Sequence, residues 1–157
     1  MQGSPEPTSE PEVLAGRVAE FVKIGDTVRR PATDSSASVQ QFLTHLGHAG
    51  FAGAPRFLDT EPDGSIVLSW LEAWVPAGTE CWRLGRSELA SVGELLGSYR
   101  DCVAGFAPGT GFEEGPQAVG AGQVVCHGDI APRNTVFADG RATAFIDWSG
   151  IFVPTPM

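Results

Sequence analysis

The chain has 157 residues, 42% of them hydrophobic, and its 19 acidic and 10 basic side chains give a formal net charge of −9. A chain of this length and apolar content can bury a core, which excludes a wholly disordered protein. The acidic balance, without a basic stripe, argues against binding to the phosphates of nucleic acids.

The N-terminal part of the sequence indicates a short tail followed by strands. Residues 1–12 combine prolines with Ser, Thr and Glu, and they predict a disordered tail because they hold too little apolar surface to bury. From Val13 to Pro31, apolar and polar residues alternate around turn residues at 15–16 and 25–26. This pattern predicts two or three antiparallel strands.

A helix and a second pair of strands are predicted next. The polar loop 32–38 supplies candidate N-caps for the helix, which two later glycines weaken. The Pro-Asp-Gly sequence at 62–64 indicates a turn, and the strand after it, at 65–71, is apolar enough to lie in the middle of a sheet. The apolar positions of the helix follow helical spacing and are Val39, Phe42, Leu43 and Leu46.

The second half of the chain predicts a long helix and a set of short strands. Ser87 is the expected N-cap of this helix and Pro108 its end. After a glycine-rich loop, apolar segments at 124–126, 135–137 and 144–146 predict neighbouring strands, the last two joined by a tight turn. The order indicates a sheet-rich lobe followed by a mainly helical lobe. The predicted apolar face of the long helix consists of Leu89, Val92, Leu95, Leu96, Tyr99, Val103 and Phe106.

Asp129, Asn134 and Asp147 each lie beside an end of one of these three short strands. If the strands are neighbours, two carboxylates and an amide converge on one point. Nearby carboxylates repel each other unless a cation or a shared proton lies between them. Mg²⁺ suits such a point because it binds one or two carboxylates together with water and substrate phosphates.

The spacing of these residues indicates phosphoryl transfer. Asp129 and Asn134 have the D-x-x-x-x-N spacing of the kinase catalytic loop, in which the acid accepts the proton of the substrate hydroxyl and the asparagine binds metal. Asp147 follows a hydrophobic strand, as does the acid that holds the metal bridging the nucleotide phosphates. A purely structural turn is the less favoured interpretation of the combined pattern.

The segments HGDIAPRN and FIDW closely resemble the signature of the aminoglycoside phosphotransferase family, a group of kinase-like enzymes. The resemblance implies an α+β, protein-kinase-like fold with two lobes, a small antiparallel-sheet N-lobe at 13–73 and an incomplete helical C-lobe at 74–157. It implies that Asp129 is the catalytic base and that Asn134 and Asp147 are the Mg²⁺ ligands. The histidine of the first segment would be a structural element of the loop.

The same resemblance implies nucleotide-binding residues in the N-lobe. Arg29, in TVRRP, is the expected ligand of the phosphates, and two solvated arginines on an edge strand are the alternative. The helix that follows offers glutamines, where family members often have a glutamate, as a partner for this arginine. Gly16 is the single glycine of the expected phosphate-covering loop. Leu71 and Ala73 would offer backbone groups to adenine, although the apolar residues of that segment also suit a core.

These expectations describe a phosphotransferase that moves the γ-phosphoryl group of ATP or GTP to a hydroxyl of a small molecule. The alternative is a catalytically inactive remnant or a nucleotide-binding module, because family members usually continue with several helices where this sequence ends, ten residues after Asp147. Such a chain would expose apolar C-lobe surface and self-associate. A metal-dependent phosphoesterase built on His127, Asp129 and Asp147 leaves the D-x-x-x-x-N spacing unexplained and is less favoured.

The cysteines and apolar runs bear on the cellular compartment. Cys81, Cys102 and Cys126 lie far apart and form no C-x-x-C pair, which favours a reducing environment. No apolar run approaches the ~18 residues that a membrane span needs. The N-terminus also lacks the basic and apolar regions of a secretory signal. We therefore expect a cytoplasmic protein without a membrane segment.

Overall fold

Two antiparallel sheets and two α-helices make up the part of the chain that the structure describes. The computed structural model describes residues 10–15, 20–104, 106–107 and 124–151. No helix within these ranges is long and apolar enough to cross a membrane. The elements are β1 (Glu12–Ala15), β2 (Glu20–Ile24), β3 (Thr27–Arg30), α1 (Ser36–His48), β4 (Phe57–Thr60), β5 (Ile66–Ser69), α2 (Arg86–Val103), β6 (Thr135–Ala138) and β7 (Arg141–Phe145), with 3₁₀ helices at Gly78–Arg83, Pro132–Asn134 and Trp148–Gly150.

The first sheet holds five strands in the order β1-β2-β3-β5-β4, and each strand is antiparallel to its neighbours. β1 begins at Glu12, one residue inside the predicted tail. Gly25, in the turn between β2 and β3, has a φ of 57°, a conformation that glycine adopts without strain. β5 pairs with strands on both sides, so the prediction of a central strand after residues 62–64 is confirmed.

α1 packs its predicted apolar face into the core. The helix ends at His48, shortly before Gly50, which has a φ of 79°. The structure therefore confirms both the helix and its weakening at the glycines. Its most deeply buried side chains are the four predicted from helical spacing, each at most 1% exposed: Val39, Phe42, Leu43 and Leu46.

The N-terminus of α2 differs from the prediction. Gly85 precedes the helix, and its N–H donates to the carboxylate of Glu88 at 3.1 Å. Ser87 lies inside the first turn, where its hydroxyl donates to the same carboxylate. The prediction that Ser87 caps the helix is therefore wrong, because a glutamate three residues into the helix reaches back to the terminus instead.

Aromatic rings fill the core between the two helices and the second sheet. Phe42 contacts the rings of Tyr99, Phe106 and Trp148, with centroids 6.3, 5.1 and 5.8 Å away. Phe106 lies beyond the end of α2 rather than on it. Leu89 and Leu96, also on the predicted apolar face, are 57% and 37% exposed, whereas Val92 and Leu95 are partly buried against this core.

β6 and β7 form a hairpin that carries the polar residues singled out above. Its turn residues Asp139 and Gly140 have φ values of 49° and 73°, as a type I′ turn requires, so the predicted turn is confirmed. The third predicted strand, at 124–126, is wrong, because this segment holds only a single bridge residue. The Val125 carbonyl there accepts a hydrogen bond from the Tyr99 hydroxyl at 2.6 Å rather than from a strand.

Ser91 joins α2 to the hairpin and supplies a test of this packing. Its hydroxyl, on a residue only 2% exposed, donates to the Glu88 carbonyl at 2.6 Å and accepts the Ala142 N–H at 2.8 Å. We expect Ser91→Ala to lower the free energy of unfolding by about 1–3 kcal/mol, because it leaves a buried N–H without an acceptor. The control Ser87→Ala should change it by less than about 0.5 kcal/mol. Urea titrations of both variants measure the difference, and equal losses would contradict it.

Candidate active site

A 3₁₀ turn folds the loop after Asp129 back on itself. The Asn134 N–H donates to the Ala131 carbonyl at 2.9 Å, and Pro132 takes the first position of the turn, where no N–H is needed. The Asn134 side-chain nitrogen then donates to the carbonyl of Asp129 at 2.8 Å and to its carboxylate at 3.0 Å. The D-x-x-x-x-N spacing therefore brings these two side chains into contact.

His127 ties this loop to the end of β7. The residue is 1% exposed, and its ring lies 4.4 Å from the ring of Trp148. Its Nε2 donates to the Ile146 carbonyl at 2.9 Å, and its Nδ1 accepts the Asp129 N–H at 3.3 Å, a tautomer assigned from these two partners. The histidine is thus a structural element of the loop, and it connects the residues that carry Asp129 and Asp147.

The neutral form of His127 is the one that fits these contacts. Burial lowers the pKa of the imidazole below its usual value, while the hydrogen bond to Ile146 and the charges of Asp147 and Asp129 act in the opposite direction. A second ring proton would also meet the backbone N–H that now donates to the ring. The loop geometry therefore depends on an uncharged histidine.

Asn134 and Asp147 lie beside the last backbone hydrogen bond at the open end of the hairpin. The Ile146 N–H donates to the Asn134 carbonyl at 2.9 Å, which extends the pairing of β6 and β7 by one step. Asp147 follows with φ 60° and ψ 64°, a left-handed conformation that is uncommon outside glycine, and its carboxylate accepts the Ser149 hydroxyl at 2.6 Å. The sharp turn of the backbone leaves this carboxylate exposed at the hairpin mouth.

The donor set at this mouth fits a magnesium ion. The side-chain nitrogen of Asn134 makes the hydrogen bonds to Asp129, so the amide oxygen is the atom left for a cation. That oxygen and the Asp147 carboxylate are hard ligands, and Mg²⁺ completes such a pair with water and substrate phosphates. Among the described residues, no group of three or more His, Cys, Asp or Glu side chains could hold a metal ion by itself.

Arg30 lies on the face of the first sheet that packs on the core. It pairs with the buried Ile66 on β5, and it shares its face with Val28, two residues earlier, which packs against the core. Arg30 is only 7% exposed, yet its guanidinium makes no hydrogen bond or salt bridge to any residue in the described part of the chain. Desolvation lowers the pKa of its guanidinium, and the charge of Asp147 opposes that shift.

Arg29, the expected phosphate ligand, lies on the opposite face of the same strand. It pairs with Val67, its Nε donates to the Glu61 carboxylate at 3.0 Å, and a further nitrogen contacts the Thr27 hydroxyl. The structure therefore does not bring Arg29 to the other candidate residues, because neighbouring strand residues point to opposite faces. Its acidic partner comes from the end of β4 rather than from α1. Gly16, the expected residue of the phosphate-covering loop, lies outside the described residues.

The segment between the two sheets is fixed at both ends and open in the middle. The Trp70 N–H donates to a carbonyl in the turn between β2 and β3 at 2.8 Å, while Trp74 and Phe137 exchange two backbone hydrogen bonds of 3.1 and 2.8 Å. Between these points, the backbones of Leu71 and Ala73 make no hydrogen bond within the described part of the chain. The two residues expected to contact adenine thus present unpaired backbone groups.

Sequence reasoning missed one residue beside Asp129. Arg133 places a single nitrogen, Nη2, 2.6 and 2.8 Å from the two carboxylate oxygens of Asp129. Both side chains are close to half exposed, at 42% and 48%. The signal that was available is the separation of four residues between opposite charges within a short polar loop.

Comparison with known sequences places the match on the same loop and hairpin. Residues 112–153 match the model of the phosphotransferase enzyme family, a stretch that includes HGDIAPRN and FIDW. The trifolitoxin immunity protein of Rhizobium leguminosarum bv. trifolii is 30% identical over an alignment of 137 residues, which covers 79% of this chain and 49% of that protein. The chain therefore spans about half the length of this curated relative.

Two solved structures share the fold. A choline/ethanolamine kinase family protein from Mesorhizobium loti has a TM-score of 0.59 at 14% identity, over 93% of this chain and 60% of that one. An aminoglycoside phosphotransferase from Streptomyces rimosus has a TM-score of 0.60 at 16% identity, over 94% and 73%. The predicted α+β, kinase-like fold, with a small antiparallel-sheet lobe first, is therefore confirmed.

The buried neutral histidine predicts how stability depends on pH. Because the folded-state pKa of His127 is depressed, its contribution to stability is present above the unfolded-state pKa of about 6.5 and is lost as the pH falls below it. We expect the free energy of unfolding to decrease from pH 7.5 to 5, with a contribution from this residue of at most about 1.4 kcal/mol per pH unit. His127→Gln should remove that contribution to the slope in metal-free buffer.

The exposed His48 provides the control for this measurement. His48→Gln also removes an imidazole, but from an exposed position. The dependence of its free energy of unfolding on pH should therefore equal that of the wild type. Denaturant titrations at four or five pH values compare the three proteins. An unchanged slope in His127→Gln would contradict the prediction.

Proposed function

We propose that this chain, whose residues 112–153 match the phosphotransferase enzyme family, transfers the γ-phosphoryl group of ATP or GTP to a hydroxyl of a small-molecule alcohol. In this reaction a bond forms between the acceptor oxygen and the γ-phosphorus as the bond to the nucleoside diphosphate breaks. The diphosphate leaves with the bonding electrons, and the hydroxyl proton passes to Asp129.

The observation that carries the proposal is Arg30, which lies largely buried on the inner face of the sheet with no hydrogen bond or salt bridge from its guanidinium to any described residue. A buried charge without a partner is costly, and a bound anion removes that cost. The charge of Asp147 acts to raise the pKa of Arg30, although no salt bridge of 4.0 Å or less joins the two side chains. A nucleotide phosphate bound by Arg30 and a divalent cation held by Asp147 would satisfy both charges.

Asn134 and Asp147 would hold Mg²⁺, which would neutralise charge on the nucleotide phosphates. Asn134 has a second task, because its amide nitrogen holds the Asp129 carboxylate in place. One residue thus fixes the distance between the base and the metal ligands. His127 supports the same geometry from the buried side of the loop.

The nucleotide would lie between an N-lobe at 13–73 and a C-lobe at 74–157, beneath the sheet face that carries Arg30. Unpaired backbone groups at Leu71 and Ala73 would bind the edge of the base, as kinase-like folds use the segment between their lobes. Gly16 would belong to the loop that covers the phosphates. Arg30 replaces Arg29 as the phosphate ligand in this proposal, because it is the arginine on the inner face.

The adjacent arginines form a matched pair for testing the nucleotide site. We expect Mg-ATP to raise the unfolding midpoint of the wild type and of Arg29→Gln equally, since a ligand that binds only the folded state stabilises it. Arg30→Gln should weaken Mg-ATP binding by about tenfold or more. Its midpoint without nucleotide should stay unchanged or rise, because the variant removes an unpaired buried charge. A larger effect of Arg29→Gln on binding would contradict the assignment.

Three Asp→Asn variants distinguish the proposed roles of the carboxylates. Asp147→Asn should lose the Mg²⁺-dependent part of the nucleotide stabilisation. Asp129→Asn should keep it but lower phosphoryl transfer to an alcohol panel by about 10²–10⁴-fold, the contribution of a general base. Asp139→Asn, in the exposed hairpin turn, is the control and should change neither. Nucleotide stabilisation without transfer in the wild type would instead support the alternative, a nucleotide-binding module.

A further inference from the structure

The guanidinium of Arg133 is engaged on one side only. Nη2 alone contacts the two oxygens of Asp129, and Nε and Nη1 make no hydrogen bond with any residue that the structure describes. The side chain is 42% exposed, so these remaining donors are open to solvent at the mouth of the site. An arginine carries five N–H donors in a planar fork, and the unused ones suit a carboxylate or a phosphate.

Resting on the phosphotransfer proposed above, we infer that the acceptor is an anionic alcohol, with a carboxylate or phosphate a few bonds from the reacting hydroxyl. The hydroxyl would meet Asp129 while the anionic group binds the free edge of Arg133. A charge-assisted, two-point contact of this kind is the geometry in which arginine binds oxyanions best.

Holding Asp129 in place does not account for Arg133. Asn134 already donates to the same carboxylate from a buried position, with a side chain that is 6% exposed. An ion pair between half-exposed side chains adds only about 0–1 kcal/mol of stability. The exposed guanidinium therefore points to recognition of an outside group rather than to support of the loop.

The charges around the hydroxyl position disfavour a cationic acceptor. Arg133 lies within 2.6 Å of the carboxylate that would meet the hydroxyl, so an ammonium group close to that hydroxyl would face a like charge. Ile130, the residue after Asp129, is 36% exposed and supplies an apolar surface for a short carbon chain. The site thus offers a base, a cation and an apolar contact within five consecutive residues, 129–133.

A set of three-carbon alcohols tests this inference with the full chain and Mg-ATP. The compounds are 3-hydroxypropionate and 3-hydroxypropyl phosphate, which are anionic, 1,3-propanediol, which is neutral, and 3-amino-1-propanol, which is cationic. We expect kcat/KM for an anionic member to exceed that for the neutral and cationic members by about tenfold or more. The two anionic compounds show which oxyanion Arg133 prefers.

Arg133→Gln removes the cation and keeps a polar side chain at this position. We expect it to lower kcat/KM for the anionic alcohols by about tenfold, mainly through KM, and to change the value for 1,3-propanediol by less than about threefold. Arg141→Gln, which removes an exposed arginine paired with Glu94 on the far side of the hairpin, should leave both values unchanged. A uniform loss across all alcohols in Arg133→Gln would assign it a positioning role and overturn the inference.

Stabilisation by Mg-ATP distinguishes a failure of this inference from a failure of the proposed function. If Mg-ATP raises the unfolding midpoint and transfer favours neutral or cationic alcohols, the inference fails and the proposed function stands. If Mg-ATP raises the midpoint but no member of the set is phosphorylated, the inference also fails, because the minimal anionic acceptor is not accepted. If Mg-ATP has no effect on the midpoint, the proposed function and the inference fail together.

Discussion

The two hydrogen bonds of the His127 ring determine the geometry of the whole candidate site. One bond holds the end of the strand that carries Asp147, and the other holds the backbone of Asp129. Trp148 packs on the same ring and also belongs to the aromatic core between the helices. The loop at 127–134, the hairpin and the core are therefore connected through one neutral, buried side chain, and a change in its protonation affects all three.

A second constraint comes from strand parity in the N-terminal sheet. Because side chains alternate between faces, β3 can present only one of its two adjacent arginines to the space below the sheet. Arg30 occupies that position, and Arg29 is neutralised on the outer face by Glu61. The strand register thus places two chemically identical neighbours on opposite faces of the sheet, and it leaves Arg30 as the arginine of the inner face.

Much of the fold and part of the site follow from local patterns. Helical spacing predicts the buried face of α1, and Pro-Asp-Gly and Asp-Gly predict two turns, because these signals depend on a few neighbouring residues. The choice between Arg29 and Arg30 required knowledge of which face of β3 is turned inward. The apolar Val28 was an indication, since it is partly buried against the core and lies on the same face as Arg30. The third short strand was mispredicted because Tyr99, 26 residues away in sequence, takes the Val125 carbonyl. The contact of Arg133 with Asp129 depends on the conformation of a loop, which the secondary-structure propensities of its residues do not specify.

The pairing of Trp74 with Phe137 has a mechanical consequence. These two residues exchange both backbone hydrogen bonds, so the chain from Trp74 onward moves with the hairpin. Trp70 directly follows β5, and its N–H donates one hydrogen bond to the turn between β2 and β3. The two parts of the chain are also joined through the core, where the ring of Phe42 contacts those of Tyr99 and Trp148. The backbone of Leu71 and Ala73 is therefore held in a constant position between the two sheets.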